Sequence, residues 1–213
     1  MTTITPTLFC SPGACSLAPH ILLEEQGKPF RLEWVITDKG EARAPKFHKL
    51  NPKGRVPVLV RGEWILTEIP AILMHLSAEN PDVAPKGHEE LLRSLEWLNW
   101  LSGTVHSVAI RQIWRSEYFT NDPATHQAIQ AKGFDHLNDA HEMIEKRLLA
   151  DEWVLGSGYT MLDPYLLVFY RWGNRMNIIM RDKYPKWTKH AEMMLERPAV
   201  SRALKTEDIS IWE

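Results

Sequence analysis

The 213 residues carry 25 Lys and Arg against 27 Asp and Glu, and 44% are apolar, the make-up of an ordinary soluble globular protein. A net charge near −2 gives no overall field to draw the chain to nucleic acid or a membrane, and no apolar run approaches the roughly 20 residues of a bilayer span. The length suits one domain or two small ones.

Met1-Thr2-Thr3-Ile4-Thr5 lacks the basic and apolar regions of a secretory signal. Cys10 and Cys15 match no zinc or redox spacing, and a disulfide between them is open but not indicated. A reducing, cytoplasmic compartment is therefore expected, with no metal.

In chain order, Leu8-Phe9-Cys10 is a short apolar run. Ser11-Pro12-Gly13-Ala14-Cys15-Ser16 follows as a tight turn, and Leu17, Ile21 and Leu22 carry a helix pattern. Pro12 presets φ and Gly13 tolerates a positive one. Ser16 is the expected N-cap, and Gly27 followed by Pro29 ends the helix. A thiol at Cys15 is either a small buried hydrophobe or faces the positive end of the helix dipole, where its pKa falls. Residues 30–36 alternate as a strand, with Leu32, Trp34 and Ile36 on one side. A short helix is expected near residues 45–50, a buried strand at Val58–Val60, a turn at Arg61-Gly62-Glu63, and a partner strand through Trp64-Ile65-Leu66. Thr67-Glu68 then opens a helix through Ile72, Leu73 and Leu76. This β-α-β-(α)-β-β-α order predicts an α/β sandwich on one mixed sheet.

Residues 80–87 are rich in Pro and Gly and read as a linker. Beyond them no strand pattern stands out, and seven of the nine tryptophans fall there. Residues 88–117 are expected as one long helix, with Leu91, Leu95, Leu98, Leu101 and Val105 spaced three and four. Another starts at Asp122-Pro123 and runs toward Ala150. Thr160 and Asp163 form a capping-box analogue for a third. Residues 186–196 and 199–204 are two shorter helices broken at Pro198. The expected organisation is an α/β domain over residues 1–80, a linker over 81–87 and an all-α domain over 88–213.

Ser11 to Ser16 with Pro19-His20, then Asn51-Pro52-Lys53-Gly54 with Val56-Pro57-Val58-Leu59, resemble the bacterial, beta-class glutathione S-transferases. Leu95 to Trp100, Val105-His106, Thr160 to Leu166 and Arg197 to Val200 extend the resemblance over nearly the whole chain. It implies a thioredoxin-like domain followed by an all-α domain, a cis peptide bond before Pro57, and a homodimer. It also implies conjugation of the glutathione thiol to small apolar electrophiles, a detoxification chemistry. Cys15 and His106 are the implied catalytic residues; Ser11, Lys39, Val56, Pro57, Glu68, Ile69, Asn99 and Gly103 are the implied contacts to glutathione.

Each of these has a plainer alternative. His106 on an apolar helix is a satisfied core residue or a donor to a thiolate. Asn99 lies seven residues earlier, which at about 100° per residue puts both near one face, two turns apart. Glu68 at a helix start is favoured by the dipole anyway; in the resemblance it binds the γ-glutamyl amino group, with the next N–H taking the carboxylate. Val56 is the start of a strand or the backbone partner of an extended tripeptide. Lys39 sits in a polar loop. The chain departs from the family in two places. Ile69-Pro70 stands where a small residue is usual, so a bulky side chain is expected against the ligand. No Tyr is present at the end of the first strand, which leaves Ser11 and Cys15 as that loop's candidates. Ile110, Trp114 and Trp172 are expected to line the acceptor pocket. Two further functions remain open: a glutathione-dependent thiol–disulfide oxidoreductase using Cys15, and a non-catalytic binding protein or scaffold blocked at Ile69.

Overall fold

The computed structural model describes residues 4–149 and 151–213. The first three residues of the N-terminal stretch read for a signal, and Ala150, the expected limit of one helix, lie outside the described residues.

The first half builds β1 (Thr7–Cys10), α1 (Leu17–Gln26), β2 (Arg31–Trp34), α2 (Pro45–Leu50), β3 (Val58–Arg61), β4 (Trp64–Thr67) and α3 (Ile69–Ala78). The sheet order is β2-β1-β3-β4. β1 runs parallel to β2 and antiparallel to β3, and β3 runs antiparallel to β4, with Leu8 opposite Leu32 and Leu59, and Leu59 opposite Leu66. Side chains alternate across the pleat. Leu8, Cys10 and Leu59 therefore meet α1 and α3, whereas Phe9, Val58 and Val60 join Phe47 of α2 on the other side. β2 is shorter than its alternation predicts. It ends at Trp34, which stays 41% exposed, while Val35 turns into the small core with Phe47.

The helical half contains α4 (Gly87–Asn99), a π-helical stretch (Trp100–Ile110), α5 (Arg111–Trp114), α6 (His126–Arg147), α7 (Leu162–Arg175), α8 (Met180–Lys183), α9 (Pro185–Leu195) and α10 (Pro198–Glu207). Every residue of α7 from Leu162 to Gly173 is buried, as expected of a helix enclosed by others. Its start is fixed by Asp163, which accepts from Thr160 N (2.7 Å), Val154 N (2.9 Å) and His190 Nε2 (2.9 Å). α1 is buried throughout its first seven residues because α3 covers one side while α7 and α10 cover the other. One core thus runs from the sheet through α1 into the helical half.

The long helix expected over residues 88–117 is interrupted. Eleven residues adopt the wider π geometry, with i→i+5 bonding. Each residue then turns the chain through a smaller angle, so Asn99 and His106 do not share a face: Asn99 is exposed and His106 half-buried. Gly133 of α6 allows close approach here, since a Cβ would lie 2.8 Å from Gln112 Cβ and 3.0 Å from Ala109 O.

Candidate active site

The turn from β1 into α1 is held from both sides. Ser16 does not cap α1 with its side chain; its hydroxyl donates to Ser11 O (3.1 Å) and accepts from Ser11 N (3.0 Å), closing the turn on itself. Gly13 has φ +65°, and a Cβ there would lie 2.8 Å from the Arg171 guanidinium carbon. Its peptide groups are gripped by the helical half. Gly13 N donates to Glu207 Oε2 (2.7 Å), and Gly13 O accepts from Trp172 Nε1 (2.9 Å) and an Arg171 guanidinium nitrogen (3.3 Å). Glu207 is buried and also holds His20 Nδ1 at 2.8 Å.

Cys15 is a free thiol, 7% exposed, and donates to Val56 O at an S···O distance of 3.6 Å. The Val56–Pro57 peptide bond is cis, as the resemblance implies. The expected low thiol pKa is not found: burial pushes Cys15 up to about 12. The N–H groups of Cys15 and Ser16 pull it down, as the helix-start argument requires, and so does Arg111, but desolvation is larger and Glu68 adds to it. Cys10 is also free and fully buried, with a thiol pushed far above its ordinary range, first by burial and then by Glu207 and Glu33.

His106 reaches the turn through Trp172. Its ring packs 4.9 Å from the Trp172 ring, whose N–H holds Gly13 O, and 6.4 Å from Phe169. Burial, then Arg111 and Arg55, bring its pKa down to about 4. A neutral ring near pH 7 is able to donate or accept a hydrogen bond but carries no charge.

Glu68 stands exposed before α3 with φ +74° and ψ 125°, a backbone shape costly for a residue with a Cβ. Lys53 ties it down, bonding Glu68 Oε1 and, at 2.6 Å, Thr67 Oγ1. Ile69 is 6% exposed and packs into the core with Ile72 and Leu73. Its side chain is buried in the core and does not stand out against a ligand, contrary to expectation. Ser11 is buried, and its hydroxyl is engaged with Thr37, at 3.3 Å from both Thr37 N and Oγ1. Lys39 is exposed on the short turn Thr37–Lys39. Gly103 is exposed on the π-helical stretch. Ile110 and Trp172 are 2% and 3% exposed and belong to the core, leaving half-buried Trp114 as the one open member of the expected pocket wall. Cys15 thus meets Val56 directly and senses the Glu68 charge, and His106 stands one ring away from the Gly13 turn, whereas Asn99 and Gly103 are exposed on the long helix.

Sequence reasoning missed Glu207, Arg171 and Arg111. Glu207 carried one signal: a carboxylate in the last turn of a helix opposes the dipole and so has another role. Among the described residues no group of three or more His, Cys, Asp or Glu side chains gathers as for a metal, and no helix is long and apolar enough to cross a membrane.

A thiol at a helix start facing a cis-proline strand, in a small mixed-sheet unit followed by an all-helical half, defines a thioredoxin-like fold with an all-α partner. The glutathione S-transferase N-terminal domain signature matches residues 13–79. The chain is 31% identical over 207 residues to glutathione S-transferase GstA of Escherichia coli O157:H7, covering 95% of this chain and 98% of that one. A glutathione transferase homologue from Sulfitobacter, solved with bound glutathione, superposes with TM-score 0.89 at 27% identity, covering 97% of this chain and all of that one. The beta-class enzyme of Sphingomonas chungbukensis gives 0.81 at 30% identity, covering 96% of this chain and 100% of that one. The chain belongs to the glutathione S-transferase family.

Proposed function

We propose that this protein conjugates glutathione to small electrophiles in the cleft between its two halves, taken as residues 1–80 and 88–213 joined by 81–87. The observation that carries the reading is the Cys15 thiol facing Val56 O beside the cis Val56–Pro57 bond, because it sets a helix start against the backbone that an extended tripeptide would pair with. Val56 N–H and C=O pair with the tripeptide, and Pro57 fixes their direction. Glu68 takes the γ-glutamyl ammonium, the single backbone N–H at Ile69 takes its carboxylate, Pro70 having none to offer, and Lys39 takes the glycine carboxylate. Ser11 shapes the turn through Thr37.

The glutathione thiol gives its proton to water. Its sulfur then forms a carbon–sulfur bond as the leaving group departs with its electron pair. His106, neutral, donates a hydrogen bond to the ionised sulfur, and the N–H groups at Cys15 and Ser16 add positive potential. Two copies assemble as a homodimer over the long helix, where Asn99 and Gly103 lie exposed and extend the site; the protein works in the cytoplasm. Burial of Ile69 removes the ground for a blocked scaffold, and the raised Cys15 thiol is a poor resting nucleophile for disulfide exchange. The test is conjugation of chlorodinitrobenzene with wild type and Cys15→Ser. Glutathione-dependent turnover retained in Cys15→Ser supports the reading; absence of turnover in both contradicts it.

A further inference from the structure

The cleft holds more positive charge than glutathione uses. Arg111 opens α5, directly after the π-helical stretch that carries His106, and is half-buried. Its guanidinium carbon lies 5.3 Å from the Tyr118 ring centre. The Arg43 guanidinium sits 5.5 Å from the same ring and bonds the Tyr118 hydroxyl. Arg55, one residue before Val56, is exposed and close enough to act on both Arg111 and His106. None of these three arginines pairs with a carboxylate among the described residues.

Three acidic groups nearby are already engaged, while Glu117 stands exposed next to Tyr118. Glu68 pairs with Lys53, Asp38 pairs with Arg115 at 3.1 Å, and Glu41 turns onto Ile36 N at 2.7 Å. Ionised glutathione presents an ammonium, two carboxylates and a thiolate. With Glu68, Lys39 and the start of α3 serving the first three, only the thiolate faces the arginines. Burial, then Arg55, lowers the pKa of Arg111, so an anion placed beside it would be favoured. Beside it, half-buried Trp114 meets the buried Trp172 ring edge to face at 5.4 Å and has Arg175 5.8 Å from its own ring. The open part of Trp114 is therefore an aromatic patch edged by guanidiniums, which suits a flat apolar body carrying an anion.

We infer that this acceptor side is an anion site, in which Arg111, with Arg43 and Arg55, recognises electrophiles bearing a carboxylate, sulfonate or phosphate group. The inference rests on the conjugation reading above and names a substrate class for it: aromatic electrophiles that carry an anionic group.

The experiment separates binding from turnover. Calorimetry with dinitrobenzoate and its methyl ester, neither with a halide to displace, is run with saturating glutathione. The expected result is about tenfold tighter binding of the acid, the scale of a charge-assisted hydrogen bond, with that preference lost in Arg111→Met and partly restored in Arg111→Lys. Arg55→Met, at an exposed position, should reduce it more weakly and covers the case of an Arg111→Met that fails to fold. Equal binding of acid and ester by wild type, or an unchanged ratio in both Met variants, overturns the inference. Chlorodinitrobenzoate and its methyl ester then report turnover, each corrected for its uncatalysed rate. Tight acid binding without conjugation of either compound keeps the anion site and rejects the conjugation reading. Conjugation of both at equal corrected rates with equal binding keeps the conjugation reading and rejects the anion site.

Discussion

The two peptide neighbours of the cleft thiol are held very differently. On one side Gly13 has both its N–H and its C=O fixed by buried groups of the helical half, Glu207, Trp172 and Arg171. On the other, Val56 meets Cys15 through one weak thiol bond, and Glu68 is exposed and anchored by a surface lysine. The clamped side positions the turn, and the loose side leaves backbone free for a ligand. The clamp's groups come from chain positions more than 150 residues away. Domain docking is therefore part of how the turn acquires its shape.

The comparison breaks most readily at Glu207. Glu207→Ala leaves Gly13 N and His20 Nδ1 without their buried acceptor and is expected to cost about 2–5 kcal/mol, read as a lower denaturant midpoint, while Glu207→Gln costs less. A midpoint within error of wild type for Glu207→Ala would mean the clamp is idle. Ile69→Ala comes next. Removing a core side chain should cost about 2–4 kcal/mol and leave glutathione affinity nearly unchanged. A gain in affinity would return Ile69 to the cleft.

His106→Ala should lower kcat and kcat/KM together by about tenfold to a hundredfold, with a smaller change in glutathione affinity, while His106→Gln keeps most of the rate. Gln can donate but not titrate, so a Gln variant as slow as Ala would mean that protonation of His106 matters. Stability should also sense acid. The buried His141 is brought down to about 3 from 6.5, by burial and then Lys183, and its ring packs edge-on between Tyr184 and Trp187 at 5.3 and 5.1 Å. A depressed folded pKa means the unfolded chain binds the proton first. This contribution is thus complete above pH 6.5 and is lost as pH falls toward about 3. Thermal midpoints followed from neutral to acid pH should fall less steeply in His141→Phe than in wild type; parallel curves would contradict it.

Most of the fold was legible because its signals are local. Pro12-Gly13, Gly27, Gly62 and the Thr160–Asp163 cap mark their turns and ends directly, and the structure bears them out. The π-helical stretch was not legible, since Leu101 and Val105 suit a 3.6-residue repeat equally well and the choice of bonding depends on what packs around them. The one-turn α8 (Met180–Lys183) fell below the length at which periodicity is visible. At the site, residue types at Cys15, Glu68 and His106 could be read, but their electrostatics could not. Whether a helix-start thiol is acidic depends on how much water reaches it, and that is set by Val56 and the helical half across the cleft.

The central claim is that fixed N–H donors and a neutral His106 hold glutathione as its thiolate. Titrating the ultraviolet thiolate absorbance of glutathione bound to Cys15→Ser, which lacks the protein's own cleft thiol, tests it most directly. The account predicts ionisation well below the free-thiol value near 8.5, shifted back upward in His106→Ala. Bound glutathione ionising at the same pH as free glutathione would contradict it.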